Sequence, residues 1–265
     1  MSTWIRVLLI AWIGIAASQS ASAAVCGPYK VAFYEYSARF FKDANGQYVG
    51  IDKDVVDEVG RRSGCQLEGF LDSRAKTWGH LEAGLLDMTV SALSSPQRLN
   101  FVQFSPYIRT RKVLFVRSPL GTPPISFDAF TKDDKLRLGV VRAFQHGAVF
   151  NDWVTAMKQQ GRVDEYTDPE SVVRAFAFGR VNAFIADPID NNVLIQRHQL
   201  EGKVVTLEPP NQAAVLAGMA FSRKRVAEED FQKMRLALES MRKDGTLLKI
   251  FQRYLPPDMA AQWVP

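Results

Sequence analysis

Apolar positions along this chain recur in two rhythms. Short segments rich in apolar or β-favouring residues, Tyr29–Phe33, Gln66–Phe70, Met88–Val90, Lys112–Arg117, Leu136–Val141, Val163–Tyr166, Ala183–Ala186 and Val215–Phe221, read as strands, the most apolar of them fully buried. Between them, apolar residues fall three or four apart. Val55, Val56 and Val59 share one helical face, and so do Phe231, Met234, Leu238 and Met241. Helices are also predicted over Ala148–Met157 and Glu170–Phe178, and after Asp187-Pro188. Asp52 is placed to cap the first helix and Gly64 to stop it, while Asn45-Gly46 makes a turn in an aromatic-rich loop, Tyr34–Gln47. Alternation of strand and helix implies an α/β chain whose sheets are mainly parallel and flanked by helices. The Leu120–Pro124 stretch breaks the pattern and reads as the passage into a second lobe.

One stretch concentrates chemistry. In Leu81–Tyr107 a helix end leads into the buried strand at Met88, and the apolar run then stops at Ser91, Ser94 and Ser95. Hydroxyls and backbone N–H groups at the C-terminal end of a strand suit an anion, and Arg98 adds a planar fork that matches a carboxylate. The competing reading is a surface turn with a solvated arginine. Asp187 ends another buried strand and so occupies the same kind of place in the second half.

The stretch Leu81-x-x-Gly84-x-x-Asp87, followed by Ser95-Pro-Gln-Arg98 and Phe104-Ser105-Pro106-Tyr107, resembles the periplasmic solute-binding proteins of polar amino-acid ABC transporters, family 3 of that class. So do Gly50-Ile-Asp52, Gly179-Arg-Val-Asn-Ala183-x-x-x-Asp187 and the ending Asp244-Gly-Thr-Leu-x-x-Ile250-x-x-x-Tyr254, and together these cover Tyr29–Leu255. The resemblance implies a two-lobed, type II periplasmic-binding-protein-like fold with a two-stranded hinge: lobe 1 over 25–117, lobe 2 over 118–214, and a return to lobe 1 with C-terminal helices over 215–265. It implies that Arg98 clamps a ligand's α-carboxylate beside Ser91 and Ser94, and that Asp187 holds its α-ammonium. Tyr36 falls where relatives stack an aromatic on the ligand. Arg74 stands where many carry a second stacking ring, which favours an acidic or polar ligand unless Arg74 pairs with Glu35; Trp78 is then core. Arg142 and Gln145 replace a Gly-Thr/Ser-Thr pair that relatives use for the carboxylate. The implied function is capture of a small amino-acid-type ligand for the membrane permease of an ABC importer, by a monomer with no cofactor and no chemistry of its own. Two alternatives stay open: a cyclohexadienyl dehydratase-like enzyme on the same fold, with Glu35 and Asp187 as its candidate acids, and a ligand sensor.

Composition narrows this further. At 265 residues and 47% hydrophobic content, the chain can bury one large core or two modest ones. Residues 1–24, with Arg6 before the apolar run Val7–Ala17 and a small-residue end, read as a secretory signal peptide cleaved near Ala23 or Ala24. Val25 fits a lipoprotein box poorly, so lipidation at Cys26 is set aside. Export favours a Cys26–Cys65 disulfide at the starts of two neighbouring strands, two unpaired buried thiols being the alternative. The formal net charge of +5 drops by one when Arg6 leaves. The basic clusters Arg109–Lys112 and Arg223–Arg225 lack interleaved aromatics and read as solvated element ends, against nucleic-acid binding. His80, His146 and His198 have no metal-ligand spacing, and Ser73-x-x-Lys76 lacks the companion motifs of penicillin-binding enzymes.

Overall fold

The computed structural model describes residues 25–118 and 125–265. The expected signal peptide, residues 1–24, and the Leu120–Pro124 stretch expected to lead into the second lobe lie outside the described residues. The strands are β1 (Tyr29–Phe33), β2 (Phe41–Lys42), β3 (Tyr48–Val49), β4 (Leu67–Leu71), β5 (Met88–Leu93), β6 (Val102–Thr110), β7 (Val113–Arg117), β8 (Leu138–Val141), β9 (Val163–Tyr166), β10 (Ala183–Ala186), β11 (Val204–Leu207) and β12 (Val215–Ser222). They form two five-stranded sheets, ordered β4-β1-β5-β12-β6 and β11-β7-β10-β8-β9, plus the small β2–β3 hairpin. Strands linked through helices pair in parallel, β4 and β5 with β1, and β9 and β10 with β8. The strands next to the lobe crossings, β7 and β12, pair antiparallel.

The chain changes lobe earlier than the sequence reading places it. β7 belongs to the second sheet, pairing Val113 with Ala186 and Val116 with Ala183. The first crossing is therefore Arg111-Lys112, and the second runs from β11 to β12. The reason is packing. Val113–Val116 is buried along its length and finds partners of the same kind in β10, so the chain crosses without a proline or glycine break.

Each lobe buries its own core. In lobe 1, Val55, Val56 and Val59 of helix Ile51–Ser63 and Phe231, Met234 and Leu238 of helix Glu228–Lys243 cover the sheet residues Val31, Met88 and Phe221. In lobe 2 the two sheet faces carry separate clusters, Phe115 and Phe184 with Phe176 on one, Leu114 and Leu138 with Phe130 and Phe150 on the other. Each such side chain contributes roughly 1.5–3 kcal/mol on burial. Cys26 and Cys65 are joined by a disulfide, as the parallel β1–β4 register from Tyr29↔Leu67 onward allows. No helix among the described residues is long and apolar enough to cross a membrane.

The first helix is capped by Gly50, not by Asp52. Gly50 has φ 133°, and a Cβ there would sit 2.4 Å from the Arg39 carbonyl oxygen. Only glycine admits that approach. It lets the Ile51 and Asp52 amides donate to the Ala38 and Arg39 carbonyls, which ties the aromatic-rich loop to the helix.

Candidate functional site

The site begins at the end of β5. Ser91 turns the strand with φ 47°, donates its hydroxyl to Asp52 Oδ1 (2.9 Å) and its amide to the Tyr107 hydroxyl (3.1 Å). Tyr107 in turn donates to Asp52 Oδ1 at 2.5 Å. Asp52 is thus a buried brace under the turn; burial raises its pKa, opposed by the charge of Arg39.

Two arginines stand on this turn. Arg74, the first residue of helix Arg74–Ala83 after the Ser73 cap, donates to the Val90 and Ser91 carbonyls (both 3.1 Å). Arg98 follows the Ser95 cap of the short helix Pro96–Leu99 and donates to the Leu93 carbonyl and, across the cleft, to Ala143 of lobe 2 (both 2.9 Å). Trp78 lies under both, with guanidinium carbons 3.5 Å (Arg98) and 5.2 Å (Arg74) from its ring centroid, so the core position expected for it is also a cation platform. Burial lowers the pKa of Arg74; burial, then the charge of Arg74, lowers that of Arg98 to about 8.

Opposite them sits an ion-pair cluster that spans the lobes. Asp187, fully buried at the end of β10, accepts from Arg39 Nη2 and Lys112 Nζ (both 2.6 Å) through Oδ2 and from the Thr110 hydroxyl through Oδ1. It precedes helix Pro188–Arg197 at the cap position, yet makes no side-chain cap bond there, because its oxygens face the other way. Tyr34, Tyr36 and Phe144 close the remaining wall, Phe144 meeting both tyrosines edge-on.

Between these groups is a cavity of about 20 Å³, room for roughly one water. Of the residues singled out in the sequence, Tyr36, Arg74, Ser91, Arg98 and Gln145 line it. Asp187 lies behind the wall formed by Arg39, Thr110 and Lys112. Ser94 is exposed and not in the lining, and Arg142 is exposed and points toward Glu165, 3.9 Å away. Ser91 has spent its hydroxyl and amide on the Asp52 brace. Arg74 does not pair with Glu35, whose carboxylate accepts from Tyr48 at 3.0 Å. The sequence reading missed Tyr34, Arg39, Lys112 and Phe144. Lys112, which by its sequence neighbours reads as part of a solvated basic cluster, is buried against Asp187. A larger cavity, about 580 Å³, adjoins Tyr36 between Phe40 and Leu194; on its rim Glu170 pairs with Arg197 and Arg253 with Asp54, both at 2.9 Å, while Lys42 rests over the Tyr48 ring and Glu35 accepts from the Tyr48 hydroxyl.

His146 is buried beside the site, and burial, then the charge of Lys112, holds its imidazole down to about 3 from 6.5. Below pH 6.5 the unfolded chain takes up a proton that the folded chain refuses. Stability is therefore full above pH 6.5 and falls as pH drops through that window, by about 1.4 kcal/mol per pH unit. Acidification from pH 7 to pH 5 is expected to cost about 2 kcal/mol through this residue. Urea unfolding against pH checks it: His146→Gln flattens that slope, and a slope unchanged by the substitution refutes the assignment.

Comparison with known proteins agrees with this architecture. The family model of bacterial extracellular solute-binding proteins, family 3, matches residues 29–257. A Bacillus subtilis (strain 168) protein named for amino-acid binding, YxeM, is 22% identical over 82% of this chain and 80% of its own length. PatH of Vibrio harveyi, named as an amino-acid ABC transporter-binding protein, is 25% identical over 98% of this chain and 99% of its own. Among solved structures, an ancestral arginine-binding protein bound to arginine superposes with a TM-score of 0.71 at 21% identity, covering 86% of this chain and 97% of that one. Its likeness extends to the fold: two lobes, each a helix-flanked sheet. The match over nearly the whole described chain places this protein among the bacterial extracellular solute-binding proteins of family 3.

Proposed function

We propose that this chain captures a small amino-acid-type ligand between its lobes outside the cytoplasm and delivers it to the permease of an ABC importer. The carrying observation is Arg98. Its guanidinium is buried at the lobe junction, reaches from Leu93 to Ala143 of the facing lobe, and donates to neutral carbonyl oxygens. A carboxylate entering the cleft is a stronger acceptor than either carbonyl and takes the fork bidentately. Ligand entry first requires the lobes to part, since the cavity holds about 20 Å³, and closure then returns Phe144, Tyr34 and Tyr36 around the ligand. Relatives named for amino-acid and ABC-transporter binding support this reading. The dehydratase alternative needs an acid free to donate a proton in the cleft. Asp187 is committed to two cations and a hydroxyl, and Glu35 lies outside the small cavity.

Titration calorimetry of refolded protein against a panel of amino acids and their deaminated analogues tests the proposal. At least one member is expected to bind, and Arg98→Ala is expected to weaken it by about 30-fold or more, the loss of a charge-assisted pair. Equal affinity in Arg98→Ala, or no binding by any member, overturns it.

A further inference from the structure

The charges at this cleft do not suit a plain zwitterion. Among the described residues, Arg39, Arg74, Arg98 and Lys112 supply four cations, and Asp52 and Asp187 two carboxylates. Asp187 is already bracketed by Arg39 and Lys112 at 2.6 Å each, so a ligand ammonium finds two cations standing where its partner would be. Arg74 and Arg98 are in the opposite situation. Both are buried, at 5% and 6% exposure, and among the described residues neither has a carboxylate within 4 Å. The oxygens that receive their N–H groups are neutral: the Thr89 hydroxyl at 3.4 Å and the carbonyls of Val90, Ser91, Leu93 and Ala143. Their planes rest on rings, Arg98 and Arg74 over Trp78, and Arg74 also over Tyr34 at 4.4 Å. Two buried like charges served by carbonyls and ring faces are costly to hold, and that cost is removed when anions pair with them.

This rests on the cleft being the ligand site. We propose that the cleft selects a small dicarboxylate, one carboxylate on Arg98 and the second on Arg74, its short carbon backbone packed against Tyr34, Tyr36 and Phe144, with no α-ammonium required. A neutral zwitterion leaves Arg74 unpaired and adds a third cation beside Arg39 and Lys112. A dianion gives Arg74 and Arg98 one carboxylate each. Acidic amino acids and plain dicarboxylic acids share this chemistry.

The test is calorimetry on the refolded mature chain with L-glutamate, glutarate, L-aspartate, succinate, L-glutamine, L-asparagine and L-arginine. The best dicarboxylate is expected to bind about 100-fold more tightly than its amide counterpart, as for loss of one partner of a buried charge pair. Glutarate against glutamate, and succinate against aspartate, then distinguish the plain acids from the amino acids. Arg74→Met is expected to erase the acid-over-amide preference while leaving the melting temperature unchanged or higher, which loss of a purely structural arginine would not do; Arg74→Lys retains part of the preference and serves if Arg74→Met fails to fold. Tighter binding of glutamine, asparagine or arginine than of any dicarboxylate overturns the charge assignment and leaves the solute-binding proposal standing. A preference unchanged in both Arg74 variants overturns it too, and absence of binding by every compound overturns both readings.

Discussion

Asp187→Ala is expected to destabilise the protein by about 3–5 kcal/mol, the cost of removing one partner from a buried ion pair. The residue is fully buried, and the side chains of Arg39 and Lys112 are only 5% and 6% exposed. With the carboxylate gone, two cations face one another across the lobe junction and Thr110 loses its acceptor. For a chain of this size each kcal/mol corresponds to about 2–4 °C, so the melting temperature should fall by roughly 6–20 °C. Adding Lys112→Met to Asp187→Ala is expected to recover part of that loss, because it removes one of the two stranded charges. Differential scanning calorimetry of the three proteins checks both statements. A single-variant loss below about 1 kcal/mol, the range of exposed pairs, would mean that the cluster is not the brace between lobes that its geometry indicates.

The cluster also marks the limit of what the amino-acid order discloses. β1, β9 and β10 are read to the residue, because short segments set between turn signals and helices have few competing readings. The Cys26–Cys65 pair was legible for a similar reason: two strand starts, two cysteines and an expected export signal leave one economical partner. Arg98 is singled out by an ordered motif, Tyr36 by its spacing from Gly50 and Gln145 by a departure from the family pattern, and all three line the small cavity. Lys112 is not singled out, since a lysine beside Arg109 and Arg111 looks like a solvated strand end until β7 is known to cross into the other sheet. Arg39 was hidden by its neighbours. The aromatics of the loop drew attention, whereas the feature that positions the arginine is the left-handed Gly50, eleven residues on, whose lack of a Cβ lets the Arg39 carbonyl approach. Ser94 and Arg142 show the converse error, polar residues at the right strand ends whose side chains face solvent. Sequence reports which residues arrive at a strand end, and long-range packing decides which way each side chain turns.

Removing the disulfide should separate stability from binding, where Asp187→Ala perturbs the lobe junction itself. Cys26 and Cys65 are 39 residues apart in sequence and join the chain just before β1 to the chain just before β4. Closing a loop of that length restricts the unfolded chain by about 4 kcal/mol in the chain-entropy account. The Cys26→Ala/Cys65→Ala protein is therefore expected to melt roughly 8–16 °C lower. The staple sits at the N-terminal ends of parallel strands, and the cleft is built at their C-terminal ends by Ser91, Arg74 and Arg98. Ligand affinity measured well below the new melting temperature should accordingly stay within about twofold, because no cleft contact changes and independent sites contribute additively. Calorimetric melting and ligand titration on the same preparation test the pair of statements together. A large affinity loss with little change in melting would contradict both, and would show that the register of β1 against β4 is transmitted to the strand ends that carry the arginines.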